Sequence, residues 1–211
     1  MSNAASRRDL IVLVPDADME FAIRSVLRRA DALKTRPIKF DVHRHLQRDA
    51  GCRSDCHNYL RLYLDDYQHA VVLFDHEGSG EETLARGRLE RKVEDILGRN
   101  GWNDRAAVVV IDPELEAWVW SDSPVVDEVL GWRGRTPPLR KWIRSQAEFS
   151  WSKTAGKPGR PKEALDAALR LAGKQHSPSV FEDLGARVSV DRCVDRAFGK
   201  PKKVLTRWFG R

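Results

Sequence analysis

Three short, unbroken apolar runs constrain the fold of this chain more than any other feature. They span residues 10–14, 70–74 and 106–111, and the first and last of them are rich in β-branched residues. Continuous apolar strands of this kind are typical of a parallel sheet, because helices cover both faces of such a sheet. A fourth run at residues 38–42 alternates apolar and polar side chains, so we expect it to lie near an edge.

Apolar residues at helical spacing separate these four predicted strands. The helical pattern recurs over residues 19–33, 59–67 and 89–97, which indicates amphipathic helices with one buried face. The resulting β-α-β-α-β-α-β order predicts right-handed crossovers. We therefore expect an α/β fold with a mostly parallel, Rossmann-like sheet flanked by helices.

The pattern changes after Asp112, where apolar strand signals stop and helical signals continue. Helices are predicted to begin near Pro113, Leu139 and Pro161, since proline suits the first turn of a helix, and no strand is predicted after about residue 112. We therefore predict an α/β domain over residues 8–122 and a basic, mainly helical extension over residues 123–211 that packs on it.

Charge is distributed unevenly between the two halves of the chain. Residues 131–211 contain 19 Lys and Arg against 7 Asp and Glu, a net of +12, whereas residues 1–130 contain 18 and 24, a net of −6. Six of the seven tryptophans lie in or just before the basic part. An acidic half suits a metal ion and a basic half suits phosphates. We therefore expect the two halves of the chain to have different binding functions.

The location of the protein follows from what the sequence lacks. No apolar run approaches the ~20 residues that a membrane-spanning helix needs, and no signal peptide pattern is visible. Three cysteines are too few for a disulfide framework. Cys52, Cys56 and His57 leave a zinc site incomplete. We therefore expect a cytoplasmic protein without a membrane partner, and reduced thiols on a helix.

Acidic side chains follow three of the four predicted strands, where ligand sites of open α/β sheets lie. Asp16 follows the first strand, Asp75 and Glu77 follow the third, and Glu114 and Glu116 follow the fourth. Carboxylate oxygens are the ligands that Mg²⁺ prefers. The pattern predicts a site for Mg²⁺ (or Mn²⁺) whose ligands include Asp16, Asp75, Glu77 and Glu114.

Helix capping is the alternative explanation for several of these acids. Asp16 or Asp18 suits the start of the first helix, because a carboxylate there accepts hydrogen bonds from backbone N–H groups. Asp112 followed by Pro113 also has the pattern of a helix N-terminus. Glu77 follows no evident helix start, so capping does not account for it.

The order of these acids resembles that of the topoisomerase–primase (Toprim) domain. The residues that carry the resemblance lie at 14–20 (VPDADME), 74–80 (FDHEGSG) and 111–122 (IDPELEAWVWSD). A more specific likeness is to small bacterial proteins of methylation-associated anti-phage defence systems. The Toprim pattern covers about residues 8–120, and the likeness to the defence proteins extends over most of the chain.

The resemblance implies roles for individual residues. Asp16 would act as general acid and base, and Asp75 and Glu77 would bind Mg²⁺, with Glu116 as a further candidate catalytic residue. Two positions differ from the family pattern: Asp16 stands where Glu is usual, and Glu77 stands where a second Asp is usual.

Candidate contacts to DNA or RNA lie in the basic part, because cations interleaved with aromatic residues are typical of nucleic-acid binding. The predicted nucleic-acid-binding residues are Lys153, Lys157, Arg160, Lys162, Lys202 and Lys203.

Three functions are compatible with these patterns. The first is a Mg²⁺-dependent, nuclease-like protein of a bacterial defence system. Such a protein would act on phosphodiesters and interact with other defence proteins. The second is a catalytically inert subunit of a defence complex that binds nucleic acid or protein. The third is a phospho-receiver domain with Asp75 as phosphoacceptor. This domain also requires a Ser or Thr after the fourth strand and a Lys after a fifth, but here Asp112 and Pro113 follow the fourth run and no fifth strand with a Lys is evident.

Overall fold

Four parallel strands form the central sheet of the computed structural model, which describes residues 7–152, 156–190 and 196–211. The strands are β1 (Arg8–Val14), β2 (Phe40–Arg44), β3 (Tyr67–Asp75) and β4 (Ala106–Ile111), and they lie in the order β2-β1-β3-β4. The predicted α/β fold with a parallel sheet is confirmed. The alternating run predicted near an edge is indeed the edge strand β2.

Helices connect the strands and continue beyond them. Between strands lie α1 (Ala17–Leu27), α2 (Ala30–Leu33), α3 (Arg48–Ser54), α4 (Cys56–Arg61) and α5 (Arg86–Leu97), the last followed by a π-type turn at Gly98–Trp102. After β4 come α6 (Pro124–Val129), α7 (Leu139–Ser145), α8 (Pro161–Leu171), α9 (Pro178–Arg187) and α10 (Arg196–Phe209). Within the described ranges, no helix is long and apolar enough to cross a membrane.

Helices cover both faces of the sheet, which explains the unbroken apolar runs. Successive side chains of a strand point to opposite faces, so both sets must be apolar. Val12, Leu73 and Val109 pack in one core with α1, α9 and α10. Val72 and Val108 pack in a second core with α3, α4 and α5.

Two of the predicted helices are wrong in part. The pattern from Tyr59 to Tyr67 does not continue as a helix, because α4 ends at Arg61 and Tyr67 begins β3. Its aromatic residues instead contact one another, and the Tyr67 hydroxyl donates to Asp41. The pattern over residues 19–33 is divided between α1 and α2.

The helix predicted to begin at Asp112 is also wrong. The only helical element there is a short 3₁₀ helix, Leu115–Trp118, with Glu114 at its N-cap. The backbone before it follows the end of β3 instead: the Ile111 and Pro113 carbonyls accept from the N–H groups of His76 and Glu77. These contacts tie the segment to the end of β3, and Asp112 does not cap a helix.

A short hairpin corrects the expectation that no strand follows residue 112. β5 (Trp151–Ser152) pairs antiparallel with β6 (Lys157–Pro158), after a 3₁₀ helix at Ala147–Phe149. Two-residue strands are too short to produce a periodic apolar pattern, so the sequence contains no clear signal for them.

The edge strand β4 has its backbone donors covered by side chains of α5. The Val108 N–H donates to Glu94 Oε1 at 2.9 Å, and the Val110 N–H donates to Glu90 Oε1 at 3.1 Å. Lys200 of α10 lies 3.1 Å from Glu90 Oε2 and 2.8 Å from Glu94 Oε1. Unpaired N–H groups at a sheet edge invite pairing with another chain, and these carboxylates occupy them.

The opposite edge uses the complementary chemistry. The carbonyls of Phe40 and Val42 in β2 accept from the guanidinium groups of Arg8, at 3.2 Å, and Arg24, at 2.8 Å. Anions therefore cover donors at one edge and cations cover acceptors at the other.

Replacing Glu90 by Ala tests the cover of β4. The change leaves the Val110 N–H unsatisfied and removes a buried partner of Lys200 and Arg86. We expect the free energy of unfolding to fall by about 2–4 kcal/mol, since both losses act at a buried site. Urea denaturation measures the change. Glu148→Ala, at an exposed position, is the control and should stay within about 0.5 kcal/mol of wild type; equal losses in both variants would contradict the assigned role of Glu90.

Candidate functional site

Each of the four parallel strands brings an acidic residue to the carboxyl edge of the sheet. Asp16 follows β1, Asp49 lies in the first turn of α3 after β2, Asp75 ends β3, and Glu114 and Glu116 follow β4. Sequence reasoning missed Asp49. The sequence did contain a signal for Asp49: it lies between β2 and β3, the one connection between strands for which no acidic residue had been predicted as part of the site.

Asp75 lies at the centre of this acidic cluster. Its backbone N–H donates to Asp49 Oδ1 at 2.9 Å. Its own Oδ1 is enclosed and has no hydrogen-bond partner among the described residues. Burial, and then the charges of Asp49, Glu116 and Asp16, raise the pKa of Asp75 well above its usual value. A carboxyl group in this position needs either a proton or a cation.

Asp16 caps α1, as the alternative interpretation of the sequence proposed. Its Oδ1 accepts from the Met19 N–H at 3.1 Å, and its Oδ2 lies 3.0 Å from the Arg48 guanidinium. This pairing raises the pKa of Arg48. Both carboxylate oxygens are therefore engaged, and the predicted acid–base role of Asp16 stays a prediction.

Glu77 lies at the exposed rim of the cluster, not among its buried members. Its backbone N–H donates to the Pro113 carbonyl at 3.0 Å, and its charge contributes to raising the pKa of Glu114. The Gly78 and Gly80 N–H groups both donate to Glu82 Oε1, at 3.0 and 2.9 Å. A carboxylate thus occupies this pair of backbone donors.

Glu114 and Glu116 are buried acids, with only 8% and 5% of their surface exposed. Burial, followed by the charge of Glu116, raises the pKa of Glu114 to about 7. Burial also raises the pKa of Glu116. Glu114 Oε1 accepts from the Lys162 N–H at 3.1 Å, so the start of α8 closes over the acids.

Lys162 faces the acidic cluster. Burial alone lowers the pKa of its ammonium group, but the charges of Glu116, Glu114 and Asp75 outweigh burial and raise it overall. Sequence reasoning assigned Lys162 to nucleic acid; the structure places it beside the candidate metal ligands.

His176 is a second cation beside the site, and sequence reasoning missed it. Its Nδ1 lies 2.7 Å from Asp166 Oδ1 and its Nε2 lies 3.1 Å from Asp18 Oδ2. The hydrogen bond to Asp18 is the main cause that raises the pKa of His176 to about 9. The imidazolium therefore joins the segment after α8 to the first turn of α1.

The other predicted nucleic-acid residues that the structure describes lie in β6, directly before α8 and on α10. Arg160 pairs with Glu163 at 2.6 Å. Lys157 and Lys202 each have an interaction partner as well. Lys203 is exposed on α10, and Lys153 lies outside the described residues.

The donor chemistry of the cluster fits Mg²⁺, because all its members are carboxylates and the enclosed Asp75 Oδ1 has no partner in the described part of the chain. Within that part, no group of three or more His, Cys, Asp or Glu side chains is arranged to hold a metal ion. Cys52 and Cys56 are free and buried, and burial raises the pKa of Cys56 to about 12.

The chain matches no family model, no curated protein and no solved structure.

The link through His176 predicts a pH-dependent stability. The pKa of His176 is about 9 in the folded protein and about 6.5 in an unfolded chain. The stabilisation is therefore complete below pH ~6.5 and is lost as the pH rises through ~9. We expect His176→Gln to lower the Tm by roughly 3–6 °C at pH 6.5, and the gap to wild type to narrow by pH 9.5. Thermal melting at both pH values measures this, and an unchanged gap would exclude a charged His176.

Proposed function

We propose that this protein binds a divalent metal ion at the carboxyl edge of its sheet and acts on phosphodiesters there, in the manner of a nuclease. Asp75 carries the proposal. Its enclosed Oδ1 has no partner in the described residues, and neighbouring carboxylates surround it. Protein groups placed this way fit Mg²⁺ or Mn²⁺, since a cation removes both the burial cost and the repulsion.

The acidic cluster has more negative than positive charge among the described residues, which supports the binding of a further cation. Five carboxylates, those of Asp16, Asp49, Asp75, Glu114 and Glu116, influence one another's pKa values. The cations that face them are Arg48, Lys162 and His176. Arg48 pairs with Asp16, and His176 pairs with Asp18 and Asp166. Among the residues that the structure describes, this leaves Lys162 to balance the charges of Asp49, Asp75, Glu114 and Glu116.

Individual residues have distinct parts in the proposed reaction. Asp75 and Asp49, which are in contact, would hold the metal together with water, and the metal would polarise a phosphoryl oxygen and lower the pKa of a bound water. Lys162 would neutralise a phosphate oxygen beside them. Glu114, whose pKa is about 7, is suited to move a proton at neutral pH, a role that the family resemblance had given to Asp16.

The family resemblance gives this chemistry a context, and it remains part of the proposal. The motif order is similar to that of Toprim domains and of bacterial anti-phage defence proteins. We therefore propose a role in such a defence system, with DNA or RNA as the phosphodiester and with other defence proteins as partners.

A catalytically inert binding subunit is the second candidate, and the Glu82 contact favours it. The Gly78 and Gly80 N–H groups already hold the Glu82 carboxylate, which leaves fewer donors for a substrate phosphate. Metal binding without phosphodiester cleavage would be the result that selects this candidate.

Replacing Asp75 by Asn tests the metal site. In wild type, Mg²⁺ or Mn²⁺ should raise the Tm, because an ion that binds only the folded state stabilises it. Asp75→Asn should abolish this rise. Without metal at pH 8, the Tm of Asp75→Asn should be higher than that of wild type. Loss of the proton from a buried acid whose pKa is raised lowers the free energy of unfolding, and Asn has no such proton to lose. Thermal melting in chelator and in millimolar metal measures both effects.

The matched control is Asp112→Asn, an exposed acid in the same region whose side chain is 59% exposed. This variant should respond to metal like wild type. A metal response in Asp75→Asn equal to that of wild type would place the site elsewhere, and no response in wild type would overturn the proposal.

A further inference from the structure

Three arginines on α5 and the turn that follows it differ from most cations of the chain. Within the described residues, Arg88, Arg91 and Arg99 form no ion pair and no side-chain hydrogen bond, and all three are exposed. By contrast, Arg160 is paired and Lys162 faces the acidic cluster. Unpaired arginines are available for an external anion, because binding it breaks no internal contact.

The three arginines lie along one surface. With Lys92, Asp95 and Ile96 they line a shallow depression of about 610 Å³. This lining holds four cations and one anion, a local excess of positive charge. At a rise of ~1.5 Å per residue, Arg88 and Arg99 are about 16 Å apart along the helix axis. That length matches about five nucleotides at ~3.4 Å per nucleotide of a strand, so a mononucleotide does not span it.

A groove adjoins this surface at its Arg99 end. The groove has a volume of about 1020 Å³, and Arg99 and Asp95 line it as well as the depression. Its aromatic wall is the stacked pair of His69 and Trp208, whose ring centroids are 4.2 Å apart with an interplanar angle of 15°. The Arg207 guanidinium lies 5.7 Å from the Trp208 ring centroid.

The charges of the groove differ from those of the depression. Three cations, Arg99, Lys200 and Arg207, meet three acids, Glu94, Asp95 and Asp104, so the lining is neutral. A neutral groove with aromatic rings and hydrogen-bonding groups suits a base rather than a phosphate. Lys200 also ties α10 to α5 through Glu90 and Glu94, so the two walls are held together before any ligand arrives.

We propose that the depression along α5 and the adjoining groove form a binding surface for single-stranded nucleic acid. Phosphates lie along Arg88, Arg91 and Arg99, and a base packs against the Trp208–His69 pair. A basic track beside aromatic rings is the arrangement by which proteins hold single strands. A duplex keeps its bases stacked inside and has none to offer to the groove.

This inference rests on the proposed function for the choice of a phosphodiester ligand, but it concerns a different surface. α5 begins near the carboxyl edge of the sheet and ends near the first residues of β4. A strand bound along α5 therefore leads towards the acidic cluster.

The test is the triple variant Arg88→Ala, Arg91→Ala, Arg99→Ala in the full chain. Affinity for a fluorescent 15-nucleotide single strand is measured by anisotropy in chelator over a range of salt. Each lost phosphate contact lowers the slope of log affinity against log salt by about 0.7 for single strands, so the slope should fall by about 2. The control with the same charge change, Arg133→Ala, Lys141→Ala, Arg170→Ala, should retain the wild-type slope.

A competition experiment and the metal response complete the test. Unlabelled duplex of the same length should compete much less well than unlabelled single strand. Equal slopes in the two triple variants, equal competition by duplex, or no binding of the strand by wild type at low salt would each overturn the inference. Asp75→Asn should still bind the strand in chelator, and the arginine variant should still show the metal-induced rise in Tm. If wild type binds the strand but shows no metal-induced rise in Tm, only the proposed function is overturned.

Discussion

Parallel pairing of all four strands is the constraint on which the candidate site depends. When neighbouring strands run in the same direction, every connection from a strand to its following helix starts at one edge of the sheet. The acids after β1, β2, β3 and β4 therefore meet, although up to 100 residues separate Asp16 from Glu116. The repulsion between these carboxylates is therefore a consequence of the sheet topology, and burial under α8 increases its free-energy cost. A sheet with antiparallel order would have sent half of these acids to the opposite edge.

The acidic edge is also the place where the two halves of the chain meet chemically. The start of α8 donates the Lys162 N–H to Glu114 and directs its ammonium towards the buried acids. His176 follows α8 and joins Asp166 to Asp18 on α1. The basic half thus supplies two of the three described cations that face the carboxylates, Lys162 and His176, and Arg48 of the acidic half is the third. Some of its other charges form ion pairs, such as Arg160 with Glu163.

The sequence predicted those parts of the structure that local periodicity determines. The four strands and their parallel direction follow from apolar runs separated by helical patterns, and the acids after β1, β3 and β4 are read directly after those runs, whereas Asp49 after β2 was missed. Contacts between distant residues were beyond such reasoning: His176 and Asp18 are 158 positions apart. The tyrosines from Tyr59 to Tyr67 have helical spacing, yet aromatic packing and the start of β3 determine their structure. Asp112 has the local pattern of a helix cap, but backbone hydrogen bonds to the end of β3 outweigh it.

The contact of Lys200 with Glu90 has a consequence for the order in which the protein assembles. These residues are 110 positions apart, so on a ribosome the β4 edge and its two glutamates emerge well before their ammonium partner. Chains are made at roughly 5–20 residues per second, which leaves an interval of several seconds in which Glu90 and Glu94 lie close together without Lys200. During that interval Arg86 of the same helix can pair with Glu90, as it does at 2.6 Å in the folded protein, and α10 later adds the cation that contacts both glutamates. The ion pairs that cover the β4 edge are therefore complete only after the last described helix has been made.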